Sequence, residues 1–390
     1  MPAPSTARPR VVLLRGHHAN VWDLRPWELL LDEYDVRVLV TGSNLHQTEG
    51  LALPVEHVRT PRDVLPGSGR LTGGAAYALG ERYLGLDEHL RGAAIVHAAE
   101  LGTWYAAQAA GLRSARGFRL ALTVWETIAW RETYRWRRER AYRRAVLAAT
   151  DLYLPTTERA RDGLRLEGVP EDRMRVCPPG IDLARFADGA PAAAPAEPPA
   201  VHTLLAAGRL VWEKGHQDVL RAFAALRLGI GGAARADVRL LIVGDGPEGE
   251  KLRAYAADLG VGDAVEFRRT VPYDEMPALY ARASALVLGS LPTAAWEEQF
   301  GMVLVEAMAC GTPVVACASG AIPEVVGDRG TLVGAGDWIG MAAALREGPL
   351  AAAPATRSGV RLTDLERYSS AALADRLRGA YAGLLDGRSP

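Results

Sequence analysis

Glu298-Gln-Phe-Gly-Met-Val-Leu-Val-Glu306-Ala-Met-Ala-Cys-Gly311 decides the reading of this chain. Two carboxylates stand eight positions apart, and the run from Val303 to Ala309 between the second of them and its flanks is apolar. That run predicts a buried helix stopping at Gly311. Eight residues is a little over two turns, so a helix beginning at Glu298 would put both carboxylates on one side. Gly301, and the strand-like run 285–288 before it, argue for a later start. Glu298 then lies in the loop ahead of the helix and Glu306 within its first turns. The free N–H groups near Phe300, Gly301 and Met302 would point out of the helix mouth toward an anion. A helix mouth takes phosphate charge, and carboxylates accept hydrogen bonds from the paired hydroxyls of a sugar or ribose. The plain alternative is two surface charges on an ordinary helix. It fits Glu306 poorly, because Val303, Leu304, Val305, Ala307 and Met308 surround it in sequence.

Working outward, 390 residues suffice for two domains of ordinary size, and a 49% hydrophobic composition suffices for large cores. The formal net charge of −1 gives no bulk attraction to nucleic acid. Cys177, Cys310 and Cys317 are odd in number and form no CxxC, so neither a disulfide scaffold nor a zinc site is indicated, and no metal is expected. The first ten residues, MPAPSTARPR, hold no apolar leader, and no run of 18 apolar residues occurs. The expectation is a cytoplasmic protein. Of the 45 Lys plus Arg, only Lys214 and Lys251 are lysine, leaving 43 arginines. A lysine kept against that bias suggests a need for a compact ammonium.

In chain order, 10–15 (RVVLLR) reads as a strand buried on both faces, ending in Gly16-His17-His18-Ala19-Asn20. In open α/β sheets ligands sit at such carboxyl ends. Further strands are expected at 34–41, 94–98, 119–124, 151–154 and 173–177, with helices at 73–91, 103–111 and 158–166. The Ala- and Pro-rich segment 189–200 reads as a linker. Alternation then restarts with strands at 203–207, 238–243, 264–267, 285–288 and 313–317, and helices at 217–226, 248–259 and 274–283. Strands alternating with helices mean mostly parallel sheets with helices on both sides. The expected domains are 1–186, a linker 187–200, then 201–369, with a final helix in 370–390 able to pack on either domain.

Three segments together carry a resemblance: Gly208-Arg209-Leu210-Val211-Trp212-Glu213-Lys214-Gly215, Val243-Gly244-Asp245-Gly246-Pro247, and Glu298 through Gly311. Pro179-Gly180-Ile181-Asp182 and Gly320-Ala-Ile-Pro-Glu324 support it. The chain resembles the retaining family 4 glycosyltransferases of GT-B fold, strongly over about 150–330 and in element order before that. The resemblance implies two Rossmann-like domains facing each other across a cleft, the first for the acceptor and the second for a nucleotide-sugar donor, with no cofactor. It implies that Arg209 and Lys214 grip the donor diphosphate, that Glu298 holds sugar hydroxyls beside the anomeric carbon, and that Glu306 takes the ribose hydroxyls. Gly16, Gly208, Gly244, Gly246, Arg269, Phe300, Gly301 and Met302 would complete the donor site. Glu297 is adjacent to Glu298, but the spacing favours Glu298.

The acceptor half departs from the family. A His is usual at the end of the strand written here Leu122-Thr123-Val124, and this chain has Trp125-Glu126. These two are expected to line the acceptor site, with His17, His18 or His97 serving in place of the missing histidine; His97 reads equally as a core residue. Arg268-Arg269-Thr270 replaces a common Gly, so the donor base is not carried over. The acceptor is left open among small molecules, glycans and lipid-linked compounds. Seven arginines between Trp130 and Arg144 surround most of a helix. Two readings stay open there: a solvated, partly packed helix, or contact with an anionic acceptor or the inner membrane face. Gly244-Asp245-Gly246-Pro247-Glu248-Gly249 also reads as G-x-G-x-x-G, with Glu266 following. An NAD-dependent oxidoreductase on that loop, or a GT-B nucleotide-sugar epimerase, are the alternative classes. Against the first, Asp245 would face a pyrophosphate.

Overall fold

A computed structural model describes residues 8–64, 81–131, 137–187 and 200–387. Residues 188–199 of the expected linker, 73–80 of the expected 73–91 helix and 132–136 of the basic helix lie outside the described residues; in the described part of that expected helix, 81–91, only the single turn Leu86–His89 is helical.

The chain divides into two compact units, Met1–Ile181 with Ser369–Pro390, and Asp182–Tyr368. In the first, β1 (Arg10–Gly16), β2 (Asp35–Thr41), β3 (Val55–Val58), β4 (Ile95–Ala99), β5 (Arg119–Val124) and β6 (Leu152–Pro155) form one parallel sheet in the order β3-β2-β1-β4-β5-β6. Because successive side chains alternate faces, each apolar strand feeds two cores. Val12, Leu14, Val96 and Leu120 enter one cluster, and Val11, Leu13, Ile95 and Ala121 the other.

The helix Ser370–Asp386 belongs to this first unit. Ser369 caps it by accepting from the Ala372 N–H at 3.0 Å. Leu373, Leu377, Ala380, Tyr381 and Leu384 recur at helical spacing and join the β1 core. The Trp27 indole N–H donates to the Tyr381 hydroxyl at 2.9 Å, fixing its register.

The second unit repeats the pattern. Strands β7 (His202–Ala207), β8 (Val238–Val243), β9 (Val265–Arg268), β10 (Ala285–Leu288), β11 (Val314–Cys317) and β12 (Thr331–Val333) are all parallel, in the order β12-β11-β10-β7-β8-β9. Each sheet therefore runs outward in both directions from its first strand, and each has a point where the strand order reverses, between β1 and β4 and between β7 and β10.

Differences from the sequence reading are local. The edge strands β3 and β12 are too short and too mixed in polarity to announce themselves. The run 173–177 forms only an isolated bridge, Met174 with Tyr153, at the margin of the first sheet. Residues 182–186 pack with the second unit, not the first: Phe186 is buried against the rings of Tyr273 and Tyr280, and its carbonyl accepts from the Cys310 thiol at 3.3 Å. Among the described residues no helix is long and apolar enough to cross a membrane.

Candidate active site at the carboxyl edge of the second sheet

The loops after β7 and β10 leave the sheet on either side of its switch point. After β7 the chain runs Gly208-Arg209-Leu210-Val211, makes a single 3-10 turn at Trp212–Lys214, and enters the helix His216–Leu228 through Gly215. After β10 it runs Gly289-Ser290 and on to Glu298. The helix Met302–Ala309 begins behind Gly301, whose φ of +84° is left-handed. Glu298 is therefore in the loop and Glu306 in the helix.

Lys214 and Glu298 meet across the switch point. The ammonium donates to both carboxylate oxygens, at 3.0 Å to Oε1 and 2.8 Å to Oε2. The Ser290 hydroxyl donates to Oε2 at 2.7 Å. Both charged side chains are largely withdrawn from water, 16% exposed for Lys214 and 8% for Glu298. The ammonium also lies 5.3 Å from the centroid of the Trp296 ring.

Glycines hold these loops at backbone contact. A Cβ on Gly215 would fall 1.8 Å from the Gly289 carbonyl oxygen, and one on Gly244 would fall 1.9 Å from that of Gly208. The turn after β11 closes the other side: the Ala321 N–H donates to the Glu298 carbonyl at 2.8 Å. The loops after β7, β10 and β11 thus meet at one ion pair, and the loop after β8 packs on the Gly208 backbone beside it.

Glu306 is buried, and its carboxylate accepts from the Tyr273 hydroxyl at 2.8 Å and the Tyr280 hydroxyl at 2.7 Å. Burial, then the facing Glu306 charge, push the Tyr280 hydroxyl well above its ordinary range, so it remains a donor. Phe300 is a core residue packed edge-on against Tyr368, while Met302 is half-buried at the helix mouth. Arg209 is exposed; its carbonyl accepts from the His216 Nε2–H at 3.2 Å. Asp245 accepts from the Arg269 side chain and the Thr270 N–H, each at 3.1 Å. The Gly244 loop follows β8, one strand away from the switch point.

In the first unit, Gly16 has a φ of +57° and donates its N–H to the Tyr83 hydroxyl at 2.9 Å. His17 Nε2 donates to Glu81 at 2.6 Å, and His18 is exposed. The Glu126 carboxylate accepts from the Thr127 and Ile128 N–H groups at 3.1 and 3.0 Å and from Arg131 at 2.6 Å. Trp125 is half-buried and donates its N–H to Glu100 Oε1 at 2.8 Å. His97 lies within the core, its Nδ1 2.6 Å from the Tyr381 hydroxyl and its Nε2 2.7 Å from the Thr123 hydroxyl. Burial holds it well below the usual histidine range.

Sequence reading missed Ser290, Tyr273, Tyr280 and Glu100. Ser290 and Glu100 carried one signal, a polar residue within two positions of the end of a buried strand. The tyrosines carried none, because their contact with Glu306 spans 26 residues or more.

Two parallel α/β units with this strand order, and a charged site at the switch point of the second, define a GT-B protein. Solved structures agree in fold. Anabaena Alr3699/HepE in complex with UDP and glucose matches with a TM-score of 0.71 at 16% identity, covering 95% of this chain and 99% of that one. The sucrose-phosphate synthase of Thermosynechococcus elongatus matches with a TM-score of 0.72 at 20% identity, covering 97% of this chain and all of that one. The family model "Glycosyltransferase Family 4" matches residues 28–185, and "Glycosyl transferases group 1" matches residues 193–347. The chain belongs to the group 1, family 4 glycosyltransferases. Similar curated proteins include a D-inositol 3-phosphate glycosyltransferase of Acidothermus cellulolyticus, 40% identical over 48% of this chain and 43% of that protein. Another is a GDP-mannose-dependent alpha-(1-6)-phosphatidylinositol monomannoside mannosyltransferase of Mycolicibacterium smegmatis, 38% identical over 42% of this chain and 44% of that protein. The chain spans about half the length of the curated relatives it matches.

Proposed function

We propose that this chain transfers a sugar from a nucleoside-diphosphate sugar to a hydroxylated acceptor, with retention at the anomeric carbon. The observation that carries the reading is the Lys214–Glu298 pair at the switch point of the second sheet, eight positions before the tyrosine-braced Glu306. In the free protein the ammonium is held by Glu298. A donor diphosphate arriving at the loop after β7 competes for that ammonium, with Arg209 as the second cation. Glu298 is then released toward the sugar hydroxyls, and Glu306 and Tyr273 take the ribose. Gly208, Gly244, Gly246 and Gly301 let the donor approach the backbone, with Phe300 and Met302 beside them. Arg269 borders the pocket, and His17, His18, Trp125 and Glu126 belong to the acceptor side.

In the step itself, the bond from the anomeric carbon to the phosphate oxygen breaks and a bond to the acceptor oxygen forms on the same face. The acceptor proton passes to the departing diphosphate. Preorganised cations facing the leaving group contribute about 3 kcal/mol each. The relatives' names favour acceptors bearing a polyol, and the solved likenesses favour a nucleotide-sugar donor. Incubation with UDP-, GDP- and ADP-sugars and a panel of polyol acceptors tests this: acceptor-dependent release of nucleoside diphosphate and an α-linked product from an α-donor are expected. A β-linked product defeats retention, and no release with any donor defeats the reading.

A further inference from the structure

We infer that Glu100 is an acceptor-binding carboxylate, placed at the switch point of the first sheet to accept a hydrogen bond from a polyol hydroxyl. The inference takes its place in a reaction from the transferase reading, but polyol binding can be measured without it. Glu100 follows β4 directly, beside the loop after β1, where ligands of doubly wound sheets bind. Its backbone is left-handed, with a φ of +64°, and it is one of three non-glycine residues so disposed among those described. A residue of that size adopts this conformation only when its surroundings over-determine it. They do: its N–H donates to the Thr123 carbonyl at 2.9 Å, its carbonyl accepts from the Thr103 hydroxyl at 3.2 Å, and its Oε1 accepts from the Trp125 N–H at 2.8 Å. A glycine would adopt that φ at lower cost, but it would leave the Trp125 N–H without its acceptor. A carboxylate has lone pairs beyond that one bond with which to accept from a ligand hydroxyl.

The groups that face it are Glu126 and Arg131 from the segment after β5, and the Tyr105 hydroxyl from the following helix. Burial, and then Glu126, push its carboxyl up to about 7, against the Trp125 and Glu126 N–H groups and Arg131, which act the other way. It is thus half ionised near neutrality, and a hydroxyl donor favours the ionised form.

The test is calorimetric binding of myo-inositol, glycerol and methyl α-mannoside to the full chain at pH 6 and pH 8, alongside binding of nucleoside diphosphates. Wild type should bind at least one polyol about tenfold more tightly at pH 8 than at pH 6. Glu100→Gln should abolish that dependence and weaken binding at pH 8 about tenfold, with nucleoside diphosphate binding unchanged. Glu100→Gly relieves the backbone but removes the acceptor of the Trp125 N–H; it should keep a wild-type circular dichroism spectrum and nucleoside diphosphate affinity and still lose the polyol. The assignment is overturned if either variant keeps wild-type polyol affinity and pH profile, or if wild type binds no polyol at either pH. Failure of the transferase reading looks different: polyol binding persists through Glu100 while no nucleoside diphosphate binds.

Discussion

The Lys214 ammonium spans both carboxylate oxygens of Glu298 at 3.0 and 2.8 Å, joining the loops that leave β7 and β10. With both groups mostly buried, each is the other's main compensation for lost hydration. Removing one leaves an uncompensated charge. Lys214→Ala and Glu298→Ala should each cost about 3 kcal/mol in urea denaturation. The double variant should cost less than their sum by about 1–3 kcal/mol. Additive losses would mean the pair is not coupled in solution. Lys214→Arg should not rescue, because a planar guanidinium cannot occupy the ammonium's place between Glu298 and the Trp296 ring.

Glu306 depends on two hydroxyls of unequal burial. Tyr280 is fully buried and Tyr273 is half-exposed. Tyr280→Phe leaves a buried carboxylate oxygen without its donor and should cost about 1–3 kcal/mol. Tyr273→Phe lets water replace the lost hydroxyl and should cost less than about 1 kcal/mol, while weakening nucleoside diphosphate binding by removing a hydroxyl beside the proposed ribose site. Urea midpoints and calorimetric titration separate the two; equal destabilisation would contradict the burial difference.

Gly215 and Gly260 are both left-handed, with φ of +68° and +71°. Only Gly215 is also blocked, its Cβ position lying 1.8 Å from the Gly289 carbonyl oxygen, whereas nothing lies within 4 Å of that of Gly260. Gly260→Ala should therefore cost about 1–2 kcal/mol, the intrinsic penalty of the conformation. Gly215→Ala adds a backbone collision and should cost on the order of 4 kcal/mol or leave the protein unfolded. Similar thermal midpoints for the two variants would show that the loops are not in backbone contact.

The alternation of apolar strands and helices was legible because parallel strands buried on both faces read as unbroken runs such as RVVLLR and VRLLIV. The placement of Glu298 before the helix and Glu306 within it was legible from Gly301 and the strand-like run 285–288 before it. The final helix announced its existence by apolar spacing but not its unit, since that depends on Tyr381 meeting Trp27 across 354 residues. Phe186 reads as part of the first domain for the same reason: an aromatic near a boundary shows that it needs a core, not which one. Glu100 is not legible because φ is not written in a sequence, and a glutamate after a strand resembles any solvated loop residue.

His216 ties stability to pH. It is buried at the start of its helix, donates Nε2–H to the Arg209 carbonyl, and finds no partner for Nδ1 among the described residues. Burial lowers its pKa from 6.5 to about 4, with the nearby Lys214 charge acting in the same direction and the Arg209 carbonyl opposing. The folded protein thus keeps His216 neutral where the unfolded chain already binds a proton. Its contribution is complete above about pH 6.5 and is lost as pH falls toward 4, by on the order of 3 kcal/mol in all. His97, also buried and lowered, adds in the same sense. Urea unfolding from pH 7.5 to 4.5 should show falling stability, and His216→Gln, which can still donate to the Arg209 carbonyl, should flatten the slope by about one proton. A slope unchanged in that variant would mean that His216 titrates normally and that the Arg209 loop is open to water.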